Sequence, residues 1–314
     1  MKLLAAFFKL VRTLNLLFIV LTQLLFYYCI AVPVFQQAGT AVPLSLSQFM
    51  LLMLASVLIA AGGYIINDYF DLNIDRVNKP TKMVVEKLIS RRWAIVWHMG
   101  LSILGILLSF YVAWKTGAWW LAPVNTACVI ALWFYSTTFK KKILSGNIII
   151  SLLTAWVVLV VGFLVHFQAS LYYSAFAGVN LSKLLRLTFL YGSFAFIISL
   201  IREVIKDIED MQGDERYGCR TMPIVWGVQA AKLFIATWLV VLIAALLIVQ
   251  AYVLPYQWWW SALYCLALVI IPLIRILRKL FPAISPGQFH ELSTWVKLVM
   301  FTGILSMVFF KIYA

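Results

Sequence analysis

The chain has 314 residues, 64% of them hydrophobic and only 11% charged, with a formal net charge of +14. A mean hydropathy of +0.99 excludes an ordinary water-soluble domain. The basic residues flank apolar runs and form no polar basic domain, so the charge implies membrane lipid as a partner and no nucleic acid. Cys29, Cys128, Cys219 and Cys265 form no C-x-x-C pair, and His98, His166 and His290 are equally scattered. Neither a zinc site nor a disulfide framework is supported, and each histidine reads as structural or interfacial.

Taken in chain order, Met1 to Asn15 is an amphipathic start carrying Lys2, Lys9 and Arg12, and is expected to lie as a helix on the membrane surface. Nine apolar runs follow, at about 14–34, 47–66, 92–114, 118–136, 147–167, 184–205, 230–253, 256–274 and 293–313. Runs of this kind suit a hydrocarbon core ~30 Å thick. The first is too long for a cleaved signal peptide and lacks a small-residue cleavage site. The expected fold is all-α, a single multi-pass membrane domain over residues 1–314. Of the 25 Lys and Arg residues, 21 fall on the side of the N-terminus and the even-to-odd loops, and Lys115, Lys183, Arg186 and Lys311 on the other. The positive-inside rule therefore places the N-terminus and those loops in the cytoplasm and the C-terminus outside.

Nine of the eleven acidic residues sit in two stretches. Asp68, Asp71 and Asp75 form one set, and Asp207, Asp210 and Asp214 repeat its spacing at an offset of 139 residues; Glu203, Glu209 and Glu215 crowd the second. The constant offset, with Pro80-Thr81 after one set and Thr221-Met222-Pro223 after the other, suggests an internal duplication of about 14–140 and 147–274, plus a ninth helix. Spans two and six run in the same direction, so each delivers its acids to one cytoplasmic depth. Positions i, i+3 and i+7 fall within about 60° of one helix face. Asn67 flanks the first set and Lys206 the matching place in the second. Pro80 and Gly213 predict that each helix ends near its last aspartate.

Converging carboxylates repel: two unit charges ~4 Å apart at an effective dielectric near 20 cost about 4 kcal/mol. A countercharge is needed, and oxygen-only ligands without His or Cys favour Mg²⁺. Mg²⁺ commonly binds through carboxylates together with substrate phosphates, and Arg76, Lys79, Arg202 and Lys206 are near enough in sequence to hold those phosphates. Two other readings are solvated loops whose acids balance nearby cations, and a cation or solute transporter. Identical spacing on two parallel helices argues against the first. Position at the span ends, away from the bilayer midplane, argues against the second. A metal-bound phosphate at the mouth of an apolar bundle suits a prenyl diphosphate, whose allylic cation 49 aromatic residues are available to stabilise.

The run from Asn67 through Asp68, Asp71 and Asp75 to Arg76, Lys79 and Pro80 resembles N-D-x-x-D-x-x-x-D, the first signature of the UbiA-type intramembrane prenyltransferase superfamily. The run from Arg202 through Glu203, Lys206, Asp207, Glu209, Asp210, Gly213 and Asp214, followed by Gly218, Thr221 and Pro223, resembles its second. The resemblance implies nine transmembrane helices around a central cavity and two Mg²⁺ ions bridging a prenyl diphosphate to the paired motifs. It implies metal binding by Asp68, Asp71, Asp207 and Asp210, with Asn67, Asp75 and Asp214 as ligands or supporting groups. It further implies catalytic roles for Tyr135 and Lys140, and diphosphate contacts by Asn67, Lys140, Arg76, Lys79, Arg202 and Lys206. The plainer reading of Lys140 to Lys142 is a positive-inside stop. The second motif is most similar to the digeranylgeranylglyceryl phosphate synthase branch, which implies a prenylglycerol phosphate-type lipid acceptor. That branch usually carries R-P-I-P-S-G after the first motif, where this chain has Thr81 to Lys87. An aromatic acceptor of the 4-hydroxybenzoate, dihydroxynaphthoate or homogentisate type is the alternative.

Overall fold

The computed structural model describes residues 2–78, 84–85 and 89–313, with the side chains of 2–4 and 173 left aside. The architecture is all-α. After the surface helix Lys2–Leu10 come α1 (Thr13–Gln36), α2 (Leu46–Phe70), α3 (Arg91–Thr116), α4 (Leu121–Thr137) and α5 (Ser145–Leu171). Then follow α6 (Leu181–Glu209), α7 (Val228–Val253), α8 (Trp259–Leu280) and α9 (Pro286–Leu305). Among the described residues eight helices are long and apolar enough to cross a membrane; α4, at 17 residues, is shorter. Each of the nine expected runs falls on one of these helices.

Two helices carry a π turn, and the same chemistry explains both. Tyr27–Ala31 in α1 is followed by Pro33, and Leu266–Ile270 in α8 by Pro272. A proline ring displaces the carbonyl one turn back and supplies no N–H, so the preceding turn widens. Elsewhere small residues set the approach of the helices, as packing and not water exclusion drives association in a bilayer. A Cβ on Gly162 of α5 would meet Thr188 Oγ1 of α6 at 2.2 Å, and one on Gly62 of α2 would meet Ser102 Oγ of α3 at 2.7 Å. His98 is buried and its Nδ1 lies 2.9 Å from the Gly62 carbonyl, the structural role expected of it.

An apolar cluster built from α1 to α6 fills the bundle end opposite the aspartates, including Phe26, Phe35, Phe49, Leu121 and Leu164. A second joins the motif end of α6 to α7, α8 and α9. The surface helix packs through Ala6 and Leu10 against Ala61, Ile65 and Leu72. Between these clusters the bundle encloses a cavity of about 590 Å³.

Candidate active site

Both aspartate sets open onto that cavity: Asp68, Asp71, Asp75, Asp207, Asp210 and Asp214 all line it. The expected single helical face is interrupted. α2 ends at Phe70, with Asp71 at the break, and a short helix, Leu72–Asn78, carries Asp75. α6 ends at Glu209, with Asp210 at the break, and Met211–Arg216 carries Asp214. The breaks thus fall at the middle aspartate of each set and not at the last. The two short helices pack on each other through Asn78. Its Nδ2 donates to the Asp210 carbonyl at 2.9 Å, and the Gly213 N–H donates to its Oδ1 at 3.0 Å. A Cβ on residue 213 would stand 2.3 Å from Asn78 Oδ1, so any residue but glycine there must displace the Asn78 side chain.

Asp68, Asp71, Asp207 and Glu203 each have a partner of their own. Arg12 Nη2 donates to Asp68 Oδ1 at 2.6 Å. Asp71 accepts from Asn67 Nδ2 at 2.7 Å and from the Lys140 ammonium. Asp207 accepts from Asn147 Nδ2 at 2.8 Å. Glu203 accepts from Arg202 at 3.3 Å and from Lys206 at 3.1 Å. Burial works against the Lys140 charge, but the Asp71 carboxylate more than offsets it, so the ammonium pKa is raised above its ordinary 10.5. Arg12 follows the same pattern, with Asp68 outweighing desolvation. Burial pushes the Cys219 thiol up to about 11, leaving it an inert neutral group beside the second set.

Tyr135, Lys140, Asn67, Arg202 and Lys206 line the same cavity. Arg76 is exposed and does not, and Lys79 lies outside the described residues. The aromatic lining, which sequence could not single out, is Phe18, Tyr64, Tyr135, Trp156, Tyr191 and Phe194. Below the acids the walls turn apolar, with Ile19, Leu132, Ile150, Leu153 and Met300. The cavity is therefore charged at one end and hydrocarbon-like at the other.

The donor set fits a hard divalent cation. Every acid at the site offers oxygen, and among the described residues none hydrogen-bonds the buried Asn67 Oδ1. Among the described residues no three His, Cys, Asp or Glu side chains gather into a complete cage. Such a donor set suits an ion that shares its coordination with phosphate oxygens.

The UbiA prenyltransferase family model matches residues 24–283. The chain belongs to the UbiA prenyltransferase family. It is a prenyltransferase and an integral membrane protein. Among similar UbiA relatives is the digeranylgeranylglyceryl phosphate synthase of Methanosphaera stadtmanae, 28% identical over 80% of this chain and 83% of that protein. The enzyme of the same name from Methanothermobacter thermautotrophicus is 33% identical over 69% of each chain. Solved UbiA structures share the fold. A homologue from Archaeoglobus fulgidus bound to DMAPP and Mg²⁺ aligns over 96% of this chain and 98% of its own, with a TM-score of 0.56 and 17% identity. An apo homologue from Aeropyrum pernix K1 aligns over 98% of both, with a TM-score of 0.59 and 18% identity.

Several residues of this UbiA site escape a reading of the sequence. Arg12 belongs to an ordinary basic-apolar alternation, yet adopts a left-handed conformation (φ 52°) that separates the surface helix from α1. That conformation costs a non-glycine residue about 1–2 kcal/mol. Here it directs the guanidinium to Asp68. Asn78 and Asn147 carry no charge signal at all. Lys297 reads as a topology marker, but it lines the cavity.

Proposed function

We propose that this protein transfers a prenyl group from a prenyl diphosphate to the hydroxyl of a prenylglycerol phosphate-type lipid, with Mg²⁺ required. The observation that carries the reading is one cavity with six aspartates at its polar end and an apolar, aromatic-lined interior. Its relatives named digeranylgeranylglyceryl phosphate synthase support the acceptor class, and the homologue holding DMAPP and Mg²⁺ supports the donor and the ion. Two ions are the proposed number, one for each aspartate set. Asp68, Asp71, Asp207 and Asp210 would hold them, with Asn67, Asp75 and Asp214 as further ligands or supports. When bound, Mg²⁺ neutralises the diphosphate and improves it as a leaving group.

The protein's own part is to position and shield. Lys140 and Lys206 bind phosphate oxygens; Lys79 is a further proposed contact, whereas the exposed Arg76 is poorly placed for one. Tyr135 stands beside Lys140 at the cavity wall. The allylic carbon–oxygen bond breaks, its electron pair leaving with the diphosphate, while the aromatic faces stabilise the positive carbon. The acceptor oxygen then bonds that carbon, and its proton passes to the released diphosphate. Water exclusion by the bundle protects the cation from hydrolysis.

The basic side, with the N-terminus and both motifs, is proposed to face the cytoplasm. Labelling Lys141→Cys from the cytoplasmic side and Trp119→Cys from the outer side checks this, and reversed labelling contradicts it. The function is tested by incubating purified protein with prenyl diphosphates of several lengths and a panel of acceptors, with products read by mass spectrometry. An ether-linked prenylglycerol phosphate product is expected. A prenylated aromatic acid as the sole product would overturn the acceptor.

A further inference from the structure

We propose that Lys297 and Arg202 form a second anion subsite within the cavity, distinct from the aspartate sets, which takes the phosphate monoester of the acceptor lipid. This rests on the acceptor class proposed above and identifies the residues that would select it.

Lys297 is an ionisable residue on a membrane helix, and its ammonium reaches Asn15 in the first turn of α1. It stands eleven residues beyond the start of α9, about 16 Å along the axis. Intramembrane cations of this kind are expensive and mark ligand paths by default. The ammonium donates to Asn15 Oδ1 at 2.9 Å and sits 5.4 Å from the Phe18 ring centroid, both neutral groups. Helix α9 packs against both α1 and α6, which brings Lys297 to the wall carrying Arg202. Arg12, Arg202 and Lys206 all lie near enough to act on it electrostatically.

Arg12 pairs directly with Asp68, and Arg202 and Lys206 share Glu203, whereas Lys297 is held by an amide oxygen. A phosphate monoester carries about −1.5 to −2 near neutral pH and three acceptor oxygens, about twice the charge of a carboxylate, so Arg202 and Lys297 on one wall favour it. The second observation is independent of charge. Among the described residues, none hydrogen-bonds the buried Arg202 Nε, although Arg202 lines the cavity. A donor left this way costs free energy unless a ligand satisfies it.

Position separates this subsite from the donor site. Arg202 precedes Asp207 by five residues, about 7 Å deeper along α6. A diphosphate held between the aspartate sets leaves Arg202 and Lys297 available to a second head group. Arg202, a candidate contact for the donor diphosphate by sequence, is thereby assigned to the acceptor.

The test is binding, measured apart from turnover. The full-length protein in lipid nanodiscs is titrated with hexadecyl phosphate, hexadecanoate and hexadecanol, and separately with geranyl diphosphate plus Mg²⁺. The subsite predicts that hexadecyl phosphate binds most tightly and that Lys297→Met weakens it tenfold or more. Lys297→Arg restores most of the affinity, and geranyl diphosphate affinity stays within twofold in both variants. Hexadecyl phosphate binding unchanged in Lys297→Met, or equal loss for geranyl diphosphate, overturns the subsite. Tighter, Lys297-dependent binding of hexadecanoate overturns the phosphate assignment and favours an acidic acceptor of another class. If the subsite stands but no prenylglycerol phosphate forms in the acceptor panel, the failure lies in the proposed reaction and not in the subsite.

Discussion

Lys140 joins the two substrates of electrostatics at this site, a carboxylate already present and a phosphate still to arrive. It pairs with Asp71, the most deeply buried acid of the first set, whose side chain is 7% exposed. Its raised pKa fixes the sign of any pH effect. A cation with a raised folded pKa contributes fully below its unfolded value and loses that contribution only as pH climbs through the higher folded one. No alkaline loss of activity below about pH 10 therefore traces to this residue. Removing it leaves the Asp71 carboxylate without its cation and, in the proposed mechanism, the diphosphate without a contact. Steady-state kinetics of Lys140→Ala should show kcat/KM for the prenyl diphosphate lower by about 10²-fold or more. Unaltered kinetics would return Lys140 to the role of a topology marker like Lys141 and Lys142.

At the scale of elements, the break in each motif helix matters more than its length. Apolar runs reveal the helices well, because a bilayer demands length and hydrophobicity and tolerates little else. Asp71 and Asp210 give no comparable sign of a break, since no glycine or proline precedes them within the motif. What ends the regular helix is tertiary: Leu72–Asn78 and Met211–Arg216 turn onto one another, clasped by Asn78 and Gly213. The six acids are thus legible from spacing alone, while Arg12, Asn78 and Asn147 become visible only once distant segments meet. The clasp has its own prediction. Gly213→Ala must expel the Asn78 side chain, forfeiting two hydrogen bonds at about 1–3 kcal/mol for each buried group left unsatisfied. Mg²⁺-dependent turnover should fall at least about tenfold while far-UV circular dichroism stays helical. Asn78→Ala should do the same, and the double variant should be no worse than either single one, as expected of groups that act as a unit. Additive losses would place the two residues in separate roles.

Across the whole molecule the division of labour is between a charged end and an apolar depth. Closely packed pairs such as α2 with α3 and α5 with α6 hold the frame, with glycines letting the backbones approach. The cavity between the helices is charged where the surface helix and the motif helices meet, and becomes aromatic and aliphatic further in. A lipid tail and its diphosphate are accommodated together by that gradient. The central claim is that both aspartate sets hold one Mg²⁺–diphosphate unit, and it is tested most directly by measuring diphosphate release from a prenyl diphosphate in the presence of acceptor. The account predicts release that stops on chelation by EDTA, returns with added Mg²⁺, and falls by at least about 10²-fold in Asp71→Ala and in Asp210→Ala alike. Release that persists without divalent cations, or that survives loss of either aspartate, would contradict it.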